Sequence, residues 1–358
     1  MNTITKKITS CVFMLFLSMP LIGYSITQNA VLEQPVSEQQ TEKKVIRAAL
    51  DIGSGATKLK VAEINLTTNK IDQVLAVENY SVQYQDALEA SPDKLFSEQV
   101  MQDGINALLK AKAVADSFGA EKIVGVATAS FRNGKNAEEF IERIYKETGI
   151  QIYIIDQELE GILNFEAATE KVSFPAEDLI VWDIGGGSYQ FTTLDKDGKI
   201  VVHRGSEASV PFKNHVITHI KRQDISSVKS PNPISPRELS LTENRAQEIA
   251  EKVDAVFREK ILNPRTKVVG VGNIFAYNIH PIVCAQSPYS QEQLNVGLQK
   301  LVGKTDLQVG GGDYANVFIT NPILVSGFMK SLGIDQVYIE DINNADGALL
   351  YPKFWETK

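Results

Sequence analysis

Two aspartates are each carried by an apolar run into a stretch of glycines. "AALDIGSGATKLKVAEI" sets Asp51 ahead of Gly53, Ser54 and Gly55, and "IVWDIGGGSYQ" sets Asp183 ahead of Gly185, Gly186 and Gly187. Glycines let backbone N–H groups approach an anion closely, and phosphate oxygens are the acceptors such a nest suits. A carboxylate beside them repels phosphate by itself. It can, however, hold a water or ion in the shell of Mg²⁺ or Ca²⁺, which bridges to phosphate oxygens. The pair therefore predicts Asp51 and Asp183 sharing one cation, Mg²⁺ or another divalent ion, between two phosphate-gripping loops. The alternative, for either copy alone, is a hairpin whose glycines only permit a tight turn.

Other residues extend this chemistry. Arg132, in "VATASFRN", has the planar fork that clamps phosphate oxygens, the alternative being a surface ion pair. Thr128 and Ser54 are candidate hydroxyl donors. Lys58 follows the first turn, either lining a cleft entrance or facing solvent. Gly270 and Gly272, in "VVGVGN", form a third candidate loop near the phosphate or a base. His215 and His219 stand four apart in "NHVITHI", a spacing that holds zinc on a helix, but no third ligand of suitable spacing accompanies them. Phe275, Tyr277 and Tyr314 offer faces to a nucleobase, although an aromatic near a strand end more often packs in a core.

Positioning these groups needs alternating strands and helices. Apolar residues at helical spacing mark Glu98–Phe118, "EKIVGVATAS" reads as a strand, and "NAEEFIERIYKETG" reads as a helix ending at Gly149. "IQIYIID" is the next strand. The second half begins with strands in "DLIVWDIGGGSYQFTTLDKDGKIVVHRG", the last two turning at Asp197-Gly198. Thr242–Ile261 reads as one long amphipathic helix. A helix at Pro322–Leu332 and a strand at "DQVYIED" follow, and "SSVKSPNPISP" reads as an exposed loop. Each Asp-Ile-Gly segment starts a block of strands followed by helices. We expect a duplicated α/β unit, lobe I over 45–172 and lobe II over 173–358, facing one another across a cleft, with the C-terminal segment able to return to lobe I.

The chain has 358 residues, 43% apolar residues and a formal charge of −8. That balance supplies no broad field for nucleic acid, so an anionic ligand must be held by local groups or a metal. Residues 1–25 have the layout of a signal peptide: Lys6 and Lys7, a short apolar run from Cys11 to Ile22, then small residues. An uncleaved anchor is the alternative. Residues 26–44 read as a flexible linker. Cleavage leaves Cys284 as the one cysteine, which excludes an internal disulfide and is expected to be a small buried apolar residue. The expected address is periplasmic or secreted, with no stable membrane anchor after cleavage; a homodimer is left open.

In the order "DIGSGAT", "ATASFR", "ELEG", "DIGGGSYQ", the chain resembles the exopolyphosphatase and guanosine pentaphosphate phosphohydrolase (Ppx/GppA) family from Val45 to Phe354. This implies actin-like, ribonuclease H-like duplicated lobes flanking a phosphate-binding cleft. The same motifs resemble ecto-apyrases, and Thr57, Gly161 and Gln190 fit that pattern better, where Ppx/GppA members usually have other residues. Both resemblances imply hydrolysis of a phosphoanhydride by in-line attack of water, with Glu160 as base and Ser188 and Gln190 bonding the same water. The alternative for Glu160 is a solvated carboxylate at a helix start. Thr57 and the glycines at 53, 55, 185, 186, 187, 270 and 272 would serve the phosphates. The expected substrate is small-molecule or polymeric phosphate, polyphosphate or (p)ppGpp-like. An apyrase-like ecto-nucleotidase and a non-catalytic phosphate-binding protein are the alternatives. A sugar or acetate kinase is disfavoured because export removes the ATP supply.

Overall fold

The structure, a computed structural model, describes residues 43–356. The expected signal peptide, and the linker up to position 42, lie outside the described residues.

Strand β1 (Lys44–Ile52) runs through "AALDI" with every side chain from Ala48 onward buried, as a central strand covered on both faces requires. It pairs antiparallel with β2 (Ala56–Asn65), which pairs antiparallel with β3 (Lys70–Ser81). On its other side β1 lies parallel to β4 (Lys122–Ala127), and β4 lies parallel to β5 (Gln151–Ile154). The first sheet therefore has the order β3-β2-β1-β4-β5.

The second sheet repeats that plan. Strands β6 (Leu179–Ile184), β7 (Tyr189–Leu194) and β8 (Ile200–Gly205) form an antiparallel meander. Strand β9 (Lys267–Val271) lies parallel to β6, and β11 (Gln336–Glu340) lies parallel to β9, with the two-residue β10 (Tyr289–Ser290) at the edge. Read from β8 to β11, the order is that of the first sheet, with β10 added at the edge. The duplication extends to single hydrogen bonds. Gly53 N–H donates to Ala56 O at 2.9 Å, and Gly185 N–H donates to Ser188 O at 2.8 Å, closing equivalent turns two residues after each aspartate.

Two helices cross between the halves. The helix Gln157–Lys171 follows the first sheet in sequence, but Phe165, Ala167 and Ala168 pack with Leu179, Val181, Val269 and Val271 of the second. The closing helix Asn344–Leu350 follows the second sheet, yet Ala345, Ala348 and Leu349 pack with Ala49, Ala62, Val124 and Val126 of the first. The two helices cross so closely at Gly347 that a Cβ there would lie 2.6 Å from Leu163 Cβ. Lys60 and Asp346, both buried, form an ion pair that ties the closing helix to β2. Leu163 and Phe165 of the first helix and Leu349 and Leu350 of the second are buried, each contributing about 1.5–3 kcal/mol.

Several expectations need correction. The helix expected over Thr242–Ile261 is two helices, Pro236–Ala250 and Ala255–Ile261. Arg258 donates from Nε to Val253 O at 2.8 Å and from Nη2 to Ala250 O at 3.3 Å, satisfying carbonyls freed at the break. Cys284 is exposed, in a turn with φ of +56°, rather than buried. Phe275 is not in the cleft. It is fully buried against Trp182, at 5.2 Å between centroids, and covers Gly270.

Candidate active site

The two Asp-Gly turns meet across a cleft of about 450 Å³. Gly186 approaches the Ser54 side chain so closely that a Cβ on it would collide with Ser54 Cβ. Asp51, Gly53, Ser54, Gly55 and Lys58 line the cleft from lobe I with Thr128 and Glu160. Asp183, Gly185, Gly186, Ser188 and Gly272 line it from lobe II.

Asp51 sits at the end of β1 and is 2% exposed. Its Oδ2 accepts from Lys58 Nζ at 2.8 Å, while Oδ1 is buried without a partner. The lysine stands opposite Asp51 because β1 and β2 pair these two positions in register. Burial lowers the Lys58 pKa, but Asp51, with Asp183 adding to it, more than offsets this and holds the ammonium above its ordinary value. Asp183 ends β6 and accepts from Asn164 Nδ2 at 3.0 Å. Burial, reinforced by Glu160 and Asp51, pushes Asp183 up to about 8. Gly272, with φ of +84°, lies beside it: a Cβ there would be 2.8 Å from Asp183 Oδ1.

Glu160 lies in the first turn of the helix Gln157–Lys171, whose N-cap Asp156 accepts from Leu159 N–H at 2.8 Å. It is 4% exposed, which rules out the solvated-carboxylate alternative. Its Oε2 accepts from Arg132 Nη1 at 2.8 Å and from Gln190 Nε2 at 3.3 Å. Burial pushes Glu160 up to about 7, against the opposing pull of Arg132. Arg132 also donates to Ile155 O at 2.8 Å and, through Nη2, to Ser188 Oγ at 3.0 Å. Ser188 Oγ accepts from Gln190 Nε2 at 3.3 Å, closing a network around the glutamate.

Most expected residues meet here, but Thr57, Arg132, Gly187, Gln190 and Gly270 do not line the cleft; Arg132, expected to clamp phosphate, and Gln190, expected to bond the water, lie behind it on Glu160 and Ser188. Thr57 is fully buried, its Oγ1 3.2 Å from the Tyr84 hydroxyl, so it packs behind the first loop. Gly187 packs against Ala129 and Gln85, and Gly270 lies beneath the Phe275 ring; neither lines the cleft. Tyr277 and Tyr314 do line it. His215 and His219 lie elsewhere, stacked at 4.4 Å between centroids. Sequence reasoning missed Asn164, although it stands four residues after Glu160 and hence on the same helix face. It also missed the loop 309–316, which no motif marked.

A donor set of two aspartates suits a hard cation that also takes substrate and water oxygens. The buried, unpartnered Asp51 Oδ1 is one ready oxygen. Among the described residues no three His, Cys, Asp or Glu side chains could hold a metal by themselves.

Fold and site define a duplicated α/β protein with a carboxylate-lined cleft between its lobes. Residues 64–211 match the model of the Ppx/GppA phosphatase family, which bears out the resemblance read from the motifs. A bifunctional 3-dehydroquinate synthase/phosphatase of Fusobacterium nucleatum is 27% identical over 167 residues, covering 45% of this chain and 25% of that protein. Exopolyphosphatase 1 of Mycobacterium tuberculosis is 30% identical over 90 residues, covering 25% of this chain and 26% of that one. The chain thus spans about a quarter of the length of these two curated relatives. The crystal structure of the Aquifex aeolicus Ppx/GppA family member superposes with a TM-score of 0.65 at 20% identity, over 88% of this chain and all of that one, and shares the fold.

Proposed function

We propose that this protein is a phosphoanhydride hydrolase of Ppx/GppA type, releasing the terminal phosphate of polyphosphate or (p)ppGpp-like substrates by attack of water. The observation that carries the reading is Glu160, buried and bonded to Arg132 and Gln190, in the same cleft as Asp51 and Asp183. Phosphoryl transfer asks little covalent chemistry of a protein; it asks for position and charge neutralisation. Backbone groups of Gly53–Gly55 and Gly185–Gly186 surround the terminal phosphoryl group. Glu160 orients a water and takes its proton. Ser188 completes the water's hydrogen bonds, and Arg132 and Gln190 keep the glutamate aimed. Lys58 adds positive charge beside the phosphoryl oxygens. Asp51 and Asp183 would hold a divalent cation, Mg²⁺ being the candidate, which supplies further charge neutralisation when bound.

The test is phosphate release by purified protein from polyphosphate, ATP, GTP and pppGpp, with Mg²⁺ and with EDTA. Release that needs the cation is expected. No release from any substrate under any divalent ion contradicts the reading. Export to the periplasm or medium rests on the sequence of residues 1–25. It is tested by fractionating cells and sizing the mature chain; an uncleaved cytoplasmic product contradicts it.

A further inference from the structure

The histidines of "NHVITHI" lie outside the cleft, in a second cavity of about 810 Å³. His215 ends the helix Ser209–His215, and Val216–Ile220 continues it as a π-helical turn. The two imidazole planes lie 7° apart, and both rings line the cavity. Arg222, Arg237 and Arg245 line it with them. Three guanidinium groups, charged at every working pH, repel a cation, which excludes the zinc alternative. Among the described residues, moreover, no three His, Cys, Asp or Glu side chains gather to hold a metal.

This basic lining stands out on a chain whose formal charge is −8. The two carboxylates of the cavity are already engaged, Glu238 by Lys221 at 2.9 Å and Glu248 by Arg245 at 2.8 Å. Arg245 also pairs with Glu207, yet its Nε is buried without an acceptor. A buried donor costs free energy until something accepts from it. Arg222 and Arg237 are exposed and, among the described residues, have no ion-pair partner. Arg222 also holds φ of +56°, a left-handed conformation uncommon for a residue with a Cβ. Such conformations gather at ligand clamps.

We infer that this cavity is a binding site for a tetrahedral oxyanion of charge −2, a phosphate group, either free or carried on a small organic molecule. Planar guanidinium forks match the oxygens of such an ion, and each imidazole gains a second donor when protonated. Ile220 and Leu241 give the same cavity an apolar side, and its volume leaves room for an organic part. Burial holds His215 below the ordinary imidazole value; Arg245 and His219 lower it further, and Glu207 and Glu248 raise it. A bound dianion joins the raising side, so binding and protonation of the pair reinforce one another. The site does not rest on the hydrolase reading.

The experiment follows the ring signals of the four histidines by nitrogen-15 NMR of the purified protein as sulfate is added at constant ionic strength between pH 5.5 and 8. His215→Gln and His219→Gln assign the signals. Sulfate stays a dianion throughout that range, so any pH dependence belongs to the protein. No histidine lines the cleft, so anions held there do not touch these rings. The His215 and His219 signals should shift saturably and their pKa values should rise with sulfate, while His203 and His280 stay unmoved. Arg222→Ala and Arg237→Ala should each weaken sulfate binding by about tenfold, the scale of one charge-assisted hydrogen bond. Signals that shift no more with sulfate than with chloride overturn the site, as does saturable binding that both arginine variants leave unchanged. Inorganic phosphate and phenyl phosphate are compared at pH 7.5. Tighter phenyl phosphate upholds the site for a carried group, equal or tighter inorganic phosphate upholds it for the free ion, and binding of neither overturns it.

Discussion

Arg132 shows how a residue chosen for one task serves another. Its fork suits phosphate, but the structure spends it on Glu160, Ser188 and the Ile155 carbonyl. It therefore acts through the base. Burial raises the Glu160 carboxyl to about 7, and the adjacent guanidinium limits that rise. A base works only when ionised, so kcat/KM should climb with pH below about 7 and level off above it. Arg132→Ala removes the main opposition to burial, leaving only the weaker pull of Lys58, so the Glu160 pKa rises and the climbing limb moves to higher pH. A pH–rate profile of both proteins checks this; a flat profile between pH 5 and 8, or a limb moving to lower pH in the variant, would contradict the assignment.

At the scale of elements, the hairpin turns set the geometry. Aspartate, apolar residue and glycine at the end of a buried strand were readable as a motif because the turn is local: the bond from the glycine to the residue three on closes it in both copies. What the turn touches was not readable. Gly186 stands against Ser54 from the other lobe, and Gly161 against Thr192 and Val202, 2.6 and 2.7 Å from where a Cβ would sit. A Cβ on Gly161 would collide with both, so this helix lies closer to its sheet than an alanine would allow. Gly186→Ala should push the two loops apart and cut turnover by about a hundredfold, the scale set by an ångström of misplacement. Steady-state assays with a far-ultraviolet circular dichroism control check it; full activity in a folded variant would show that the loops need not touch. The bond that ties Tyr314 to Gly55 was not legible because its partner lies more than 250 positions away, and Asn164 escaped notice because it carries no motif of its own.

For the whole molecule, duplication was legible from two copies of one short motif, and the matching strand orders of the two sheets bear it out. The exchange of helices between the sheets was only half legible. The motif pattern lets the closing segment return to lobe I, whereas residues 45–172, expected as lobe I, include the helix bearing Glu160, which packs on the second sheet. That exchange places Glu160 and Asn164, on one helix face, between Arg132 of the first half and Asp183 of the second. Periodicity shows that a helix has an apolar face, but not which sheet receives it. The most direct measurement is the rate of phosphate release by Glu160→Gln beside wild type, with Mg²⁺, on the best substrate found. The substitution keeps the shape of the side chain and removes its basicity. A fall of about two to four orders of magnitude with unchanged folding is the expected result, and a variant within a few fold of wild type would contradict a glutamate-activated water in this cleft.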